Sequence, residues 1–146
     1  MLGARYSFRP SASVLAIVGL ALMLALPVWC EPSDDPNVLL AEAERLAWVK
    51  SWAKAEPIYA AAEKLFATQG DERNALYARI GRIRGELPRR PLIDVSQELE
   101  DILALPIAQT DDKLRLRALA IKGETEEDFD PDLAQASWQE ALEIAN

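Results

Sequence analysis

The chain has 146 residues, half of them hydrophobic, a composition that fits one domain with a buried core and excludes a disordered chain. It has no histidine and a single cysteine, Cys30, which excludes most metal, thiol and catalytic-triad chemistry. Arg5 and Arg9 are the only charged residues among the first 30, so the rest of the chain carries 14 basic and 24 acidic residues. Nucleic-acid binding is not expected, because contacts to phosphate need lysine or arginine.

The first 30 residues have the order of an export signal. Arg5 and Arg9 precede an apolar run over residues 14–26, which Pro27 closes. We predict that residues 1–30 are a signal peptide or N-terminal membrane anchor and that residues 31–36 are a short linker. Three fates remain open: cleavage after Cys30, lipidation at Cys30, or retention as a membrane anchor through residues 14–29. All three export the acidic body to the periplasm or cell envelope of a bacterium, because the arginines stay inside.

From residue 37 onward, apolar residues recur every three or four positions, which predicts α-helices and no strands. The predicted helices span residues 38–51, 53–69, 72–87, 92–105, 111–124 and 131–146. Gly70 starts a turn, Pro88 and Pro106 end helices, and Thr110 caps the fifth helix. The fifth helix is apolar on more than one side, so we expect neighbours to flank it. The prediction is an all-α domain of about six helices over residues 37–146.

Two of these helices share one spacing of small and aromatic residues. The second helix has Ala55, Tyr59 and Ala62, and the last has the same pattern 79 positions later, in Ala134, Trp138 and Ala141. The pattern resembles the tetratricopeptide repeat family, and further features carry the likeness: Ala43, Trp52, Gly81 and Gly123.

The resemblance implies antiparallel helix hairpins stacked as a right-handed solenoid, with Tyr59 and Trp138 as core residues between the helices of their pairs. It also implies a concave groove lined by the first helix of each pair. Transferred to this chain, the groove for a protein or peptide partner would contain Glu44, Trp48, Arg82, Arg117 and Glu124. An ordinary helical bundle without a repeat is the alternative.

Signals for chemistry are weak. Asp128, Asp130 and Asp132 alternate as at the start of a calcium loop, but Leu133 stands where that loop needs glycine. We therefore interpret this segment as a helix cap and expect no catalytic, cofactor or metal site. A cluster of arginines either pairs with nearby glutamates, such as Glu72 and Glu86, or docks a partner's carboxylate: Arg79, Arg82, Arg84, Arg89 and Arg90.

These patterns favour a non-enzymatic protein–protein interaction module exported to the bacterial cell envelope. The alternative is the N-terminal sensory or spacer region of a larger signalling or enzymatic protein. The last helix has apolar residues outside its pair-facing stripe, namely Leu133, Leu142 and Ile144, which predicts self-association or further repeats at this end.

Overall fold

The structure is a computed structural model and describes residues 34–145. The predicted signal or anchor and the start of the linker lie outside the described residues. Within residues 34–145 the chain is all-α, with seven α-helices, one short 3-10 turn and no strand. The helices are α1 Pro36–Trp48, α2 Trp52–Thr68, α3 Glu72–Glu86, α4 Leu92–Leu103, α5 Pro106–Thr110, α6 Asp112–Glu126 and α7 Pro131–Ala145.

Aspartate side chains begin four of these helices. Asp35, Asp71, Asp111 and Asp130 each accept a hydrogen bond from a backbone N–H in the first turn of α1, α3, α6 and α7. Such caps satisfy donors that have no partner inside the helix. The capping role of Asp130 agrees with the interpretation of the Asp128–Asp132 segment as a helix cap.

Three predicted helix boundaries were wrong, and the first helix ends at Trp48 instead of residue 51. Asp111, and not Thr110, caps α6, since its carboxylate accepts from the N–H groups of Lys113 and Leu114. Pro106 does not simply end the fourth helix; it is the first residue of α5, where a missing N–H costs nothing.

The helices pack largely in chain order. α1 packs on α2, α2 on α3, α4 on α6, and α6 on α7. One core cluster joins α1, α2 and α3 around Tyr59 and Phe66. A second joins α3, α4, α5 and α6 and contains Ile80, Leu99 and Leu114. α3 therefore holds the domain together, because its small residues face α2 and its large apolar residues face α4 and α6.

Tyr59 is fully buried, as predicted, and the reason is a glycine on the neighbouring helix. A Cβ atom at Gly81 of α3 would lie 2.6 Å from the Tyr59 ring. Only a residue without a side chain lets α3 pass this close over the ring, so the buried tyrosine requires Gly81.

The prediction that Trp138 is a core residue was wrong. Its ring does lie against Gly123 of α6, where an added Cβ would come within 2.8 Å, but 43% of the side chain remains exposed. The two aromatics occupy the same place in the repeated pattern, yet only Tyr59 has a third helix over its other side. Within the described residues, no helix covers α7 in the way that α3 covers α2.

We expect Tyr59→Ala to lower the free energy of unfolding by about 3 kcal/mol or more, and Trp138→Ala by about half as much. The difference follows from the exposed face of Trp138, which gains little by folding. Denaturant titration of residues 33–146 measures both values, with exposed Ile93→Ala as the control. An equal or larger loss for Trp138→Ala would contradict the packing described above.

Candidate functional site

A surface pocket of about 280 Å³ lies where α1, α2, α3 and α6 meet. We call it the Trp48 pocket, after its most exposed large side chain. Its lining residues are Glu44, Ala47, Trp48, Trp52, Tyr59, Arg84, Arg117, Ala120 and Ile121. Its aromatic residues come from α1 and α2 and its charged residues from α1, α3 and α6, so the pocket is amphipathic, as binding sites for peptides and small molecules commonly are.

The floor of the pocket is a hydrogen-bonded triad from three helices. Arg117 Nη2 forms an ion pair with Glu44 Oε1 at 2.8 Å and donates a hydrogen bond to the Tyr59 hydroxyl at 3.0 Å. The Tyr59 hydroxyl in turn donates to the same Glu44 oxygen at 2.7 Å. Burial raises the pKa of the Tyr59 hydroxyl far above its ordinary value, so it remains a donor at neutral pH.

Aromatic rings fix the guanidinium of Arg117 in place. It lies 4.2 Å from the centroid of the Tyr77 ring and 5.5 Å from that of Tyr59. Burial lowers the pKa of Arg117, but attraction to Glu44, Tyr77 and Tyr59 outweighs burial and raises it overall. Its Nε is buried without a hydrogen-bond partner, a cost that the ring contacts and the Glu44 ion pair offset.

The rim of the pocket carries two tryptophans that behave differently. The Trp52 ring is covered by the guanidinium of Arg84, 4.7 Å from the ring centroid, and Arg84 is paired with Glu124 of α6. Trp48, at the end of α1, is 88% exposed. Tryptophan is enriched among the residues that contribute most to binding at protein interfaces.

The turn after Trp48 is held in a backbone conformation that glycine normally takes. Lys50 has φ 57°, and the N–H groups of Lys50 and Ser51 bond back to the carbonyls of Ala47 and Leu46. The same turn follows α2, where Gly70 occupies the corresponding position with φ 75°. The chain accepts about 1 kcal/mol of strain at Lys50, directly beside the pocket.

The structure brings together three of the five residues predicted for the groove. Glu44, Trp48 and Arg117 line the pocket, and Glu124 lies at its edge through its ion pair with Arg84. Arg82 does not line the pocket. It bonds Glu63 of α2 and Glu86 of its own helix.

Arg84 takes the place that sequence reasoning gave to Arg82. The two arginines are two positions apart, which puts them about 200° apart around an α-helix. Arg84 and Arg82 therefore lie on opposite faces of α3, and only Arg84 faces the pocket. Trp52, also part of the lining, was known only as a repeat feature; the turn between α1 and α2 brings it beside Trp48.

The arginine cluster of α3 and the following turn pairs with glutamates of other helices. Arg79 bonds Glu98, Arg84 bonds Glu124, and Arg89 bonds Glu56. Arg90 bridges Glu86 and Glu98. These ion pairs favour the structural interpretation of the cluster, with Glu86 as a partner as expected. Glu72, the other expected partner, makes no ion pair within the described residues.

A buried polar network joins α4, α6 and α7 and was not anticipated from sequence. Glu126 is almost fully buried and accepts hydrogen bonds from Ser96 and Ser137 at 2.7 Å and from Lys122 at 2.8 Å. Burial raises the pKa of the Glu126 carboxyl, but these donors outweigh burial and lower it below its ordinary value. Both serines are buried, so the network serves to fix three helices and is not accessible to a substrate.

Residues 34–145 contain neither a metal-binding cluster nor a membrane-spanning helix. No group of three or more histidine, cysteine, aspartate or glutamate side chains is arranged to hold a metal ion there. No helix in this range has both the length and the apolar character to cross a membrane. The apolar run over residues 14–29 lies outside the range.

Comparisons of the chain with protein-family models, with curated proteins and with solved structures give no match.

We expect Gly81→Ala to lower the free energy of unfolding by about 1–3 kcal/mol, because the added methyl would lie 2.5 Å from Arg117 Nη2 and 2.6 Å from Tyr59. Helix propensity alone predicts the opposite sign, since alanine is the better helix former by about 1 kcal/mol. Ala61→Gly, at an exposed position of α2, calibrates the propensity effect in the same denaturant titration. A stabilised Gly81→Ala variant would contradict the close approach of α2 and α3.

Proposed function

We propose that this protein is a non-enzymatic protein–protein interaction module that binds a peptide segment of its partner in the Trp48 pocket. The observation that carries the proposal is the 88% exposed ring of Trp48 beside a second tryptophan. Aromatic side chains contribute more binding energy at protein interfaces than most others, because they bury large area at little entropic cost. The amphipathic pocket supplies polar groups next to this anchor, which a peptide backbone or side chain can use.

The proposal includes a solenoid of tetratricopeptide type, with α1–α2, α3–α4 and α6–α7 as its hairpins. The direct packing of α1 on α2 and of α6 on α7 supports the first and last hairpins, and α3 and α4 share a core cluster. The small–aromatic–small spacing shared by α2 and α7 supports it as well. In such a solenoid α1, α3 and α6 line the concave side, and all three contribute to the Trp48 pocket.

Peptide selection tests the binding function. A random peptide library is panned against residues 33–146, which form a compact unit, and the affinities of enriched peptides are measured by titration calorimetry. We expect Trp48→Ala to weaken binding at least about tenfold, the effect of losing one interface anchor. Val38→Ala, an exposed position of α1 outside the pocket, should leave the affinity within about twofold.

Failure to enrich any peptide, or enrichment of peptides that bind Trp48→Ala as tightly as the unchanged protein, would refute this function. Circular dichroism of each variant shows whether the fold is retained, which separates lost contacts from lost structure.

We also propose that the module works in the bacterial cell envelope. The support is the arginine–apolar–proline order of residues 1–30 ahead of an acidic body. Residues 1–35 fused to alkaline phosphatase, which is active only outside the cytoplasm, should give an active reporter in bacteria. Replacing Leu20 and Leu22 with arginine interrupts the apolar run and should abolish the activity. An inactive unchanged fusion would refute export.

A further inference from the structure

The charges around the Trp48 pocket indicate what kind of peptide it accepts, if the proposed binding function holds. An acidic peptide would need arginines that are free to pair with its carboxylates. Every arginine of the described residues is paired with a carboxylate of the domain itself: Arg45, Arg73, Arg79, Arg82, Arg84, Arg89, Arg90, Arg115 and Arg117. No lysine is among the residues that line the pocket, and the lysine beside it, Lys50, lies in the exposed turn after Trp48. An acidic partner would have to displace an internal carboxylate before it could gain an arginine.

Two ion pairs, Glu44 with Arg117 inside the pocket and Glu124 with Arg84 at its edge, have their carboxylates more exposed than their arginines. In the pair of Glu44 with Arg117, the carboxylate side chain is 38% exposed and the arginine 17%. In the pair of Glu124 with Arg84, the values are 44% and 19%. Both arginines lie against aromatic rings, Arg117 on Tyr77 and Arg84 on Trp52, which keeps them below the surface.

Both carboxylates keep acceptor capacity for a partner. Glu44 uses only Oε1 for its bonds with Arg117 and Tyr59, and Glu124 uses only Oε1 for Arg84. The second oxygen of each makes no hydrogen bond with any described residue. Ionised carboxylates accept several hydrogen bonds, and those from charged donors are the strongest.

Besides the two carboxylates, the exposed Trp48 ring can also bind a cation. Indole is the aromatic group that attracts cations best, and an ammonium or guanidinium binds over its face. The domain already uses this contact a few residues away, where Arg84 lies 4.7 Å from the centroid of the Trp52 ring. Trp48 has an equivalent ring without such a cover, being 88% exposed.

We infer that the Trp48 pocket binds a basic peptide segment, with a lysine or arginine of the partner stacked on Trp48 and paired with Glu44 or Glu124. The excess of acidic residues outside the first 30 acts in the same direction, because it attracts a basic segment over a distance and repels an acidic one. The inference rests on the proposed peptide-binding function and specifies the chemistry of the partner.

The composition of the selected peptides provides the first test. We expect peptides that depend on Trp48 to be enriched in lysine and arginine relative to the library, and their affinity to fall as the salt concentration rises. Replacing the basic residues of one such peptide with glutamine should weaken binding by about three- to tenfold.

The second test changes the protein. Glu124→Gln removes the charge and keeps the shape, and should weaken the same peptides by about three- to tenfold. Glu143→Gln, at an exposed position of α7 outside the pocket, is the matched control and should change affinity less than about twofold.

The outcomes separate the two proposals. Trp48-dependent peptides rich in aspartate and glutamate, or peptides that bind Glu124→Gln more tightly, would overturn the basic-segment inference and leave the binding function standing. Trp48-dependent peptides without any charge preference or salt dependence would also overturn it. An absence of Trp48-dependent peptides would overturn both.

Discussion

The close approach of α2 and α3 is the constraint on which the rest of the structure depends. Gly81 passes over the Tyr59 ring, and four residues later Gly85 passes the side chain of Glu56. With both glycines in contact, the Tyr59 hydroxyl reaches Glu44 on one side and Arg117 on the other. One aromatic ring thereby links four helices, and the Trp48 pocket lies above it. The geometry of the Trp48 pocket therefore depends more on how closely the α2 and α3 backbones approach than on the side chains that line the pocket.

Most ion pairs of the domain join one helix to another. The arginines of α3 reach α2, α4 and α6, so ion pairs cross the same boundaries as the two core clusters. Partly buried pairs of this kind add orientation more than stability, because desolvation offsets much of their attraction. The acidic residues left over face solvent. The arginines of the sequence cluster are each paired with a carboxylate of the domain, which explains why the cluster does not give an unpaired basic patch.

Sequence reasoning succeeded where one helix face or one local spacing carried the information. The all-α class, most helix bounds and the burial of Tyr59 follow from periodicity and from the small–aromatic–small pattern. Sequence reasoning failed where the burial or orientation of a side chain depended on a helix distant in the sequence. Trp138 matches Tyr59 locally but lacks a covering helix. Which of Arg82 and Arg84 lines the Trp48 pocket likewise depends on the rotation of α3 against α1 and α6, which the sequence does not show. The buried Ser96–Glu126–Ser137 network also joins residues distant in sequence, and no short motif indicates it.

The exposed face of α7 around Trp138 determines how firmly another helix could be positioned along it. Each position of α2 that faces α3 has a counterpart on α7, 79 positions later in the chain. The counterparts of Glu56 and Glu63 are Gln135 and Leu142. On α2, those two glutamates bind Arg89 and Arg82, which fix the position of α3 along the α2 axis. The corresponding stripe of α7 has no charge. A helix lying on it would be held by apolar contact with Trp138 and its neighbours alone, and could slide along α7 or bind in either direction.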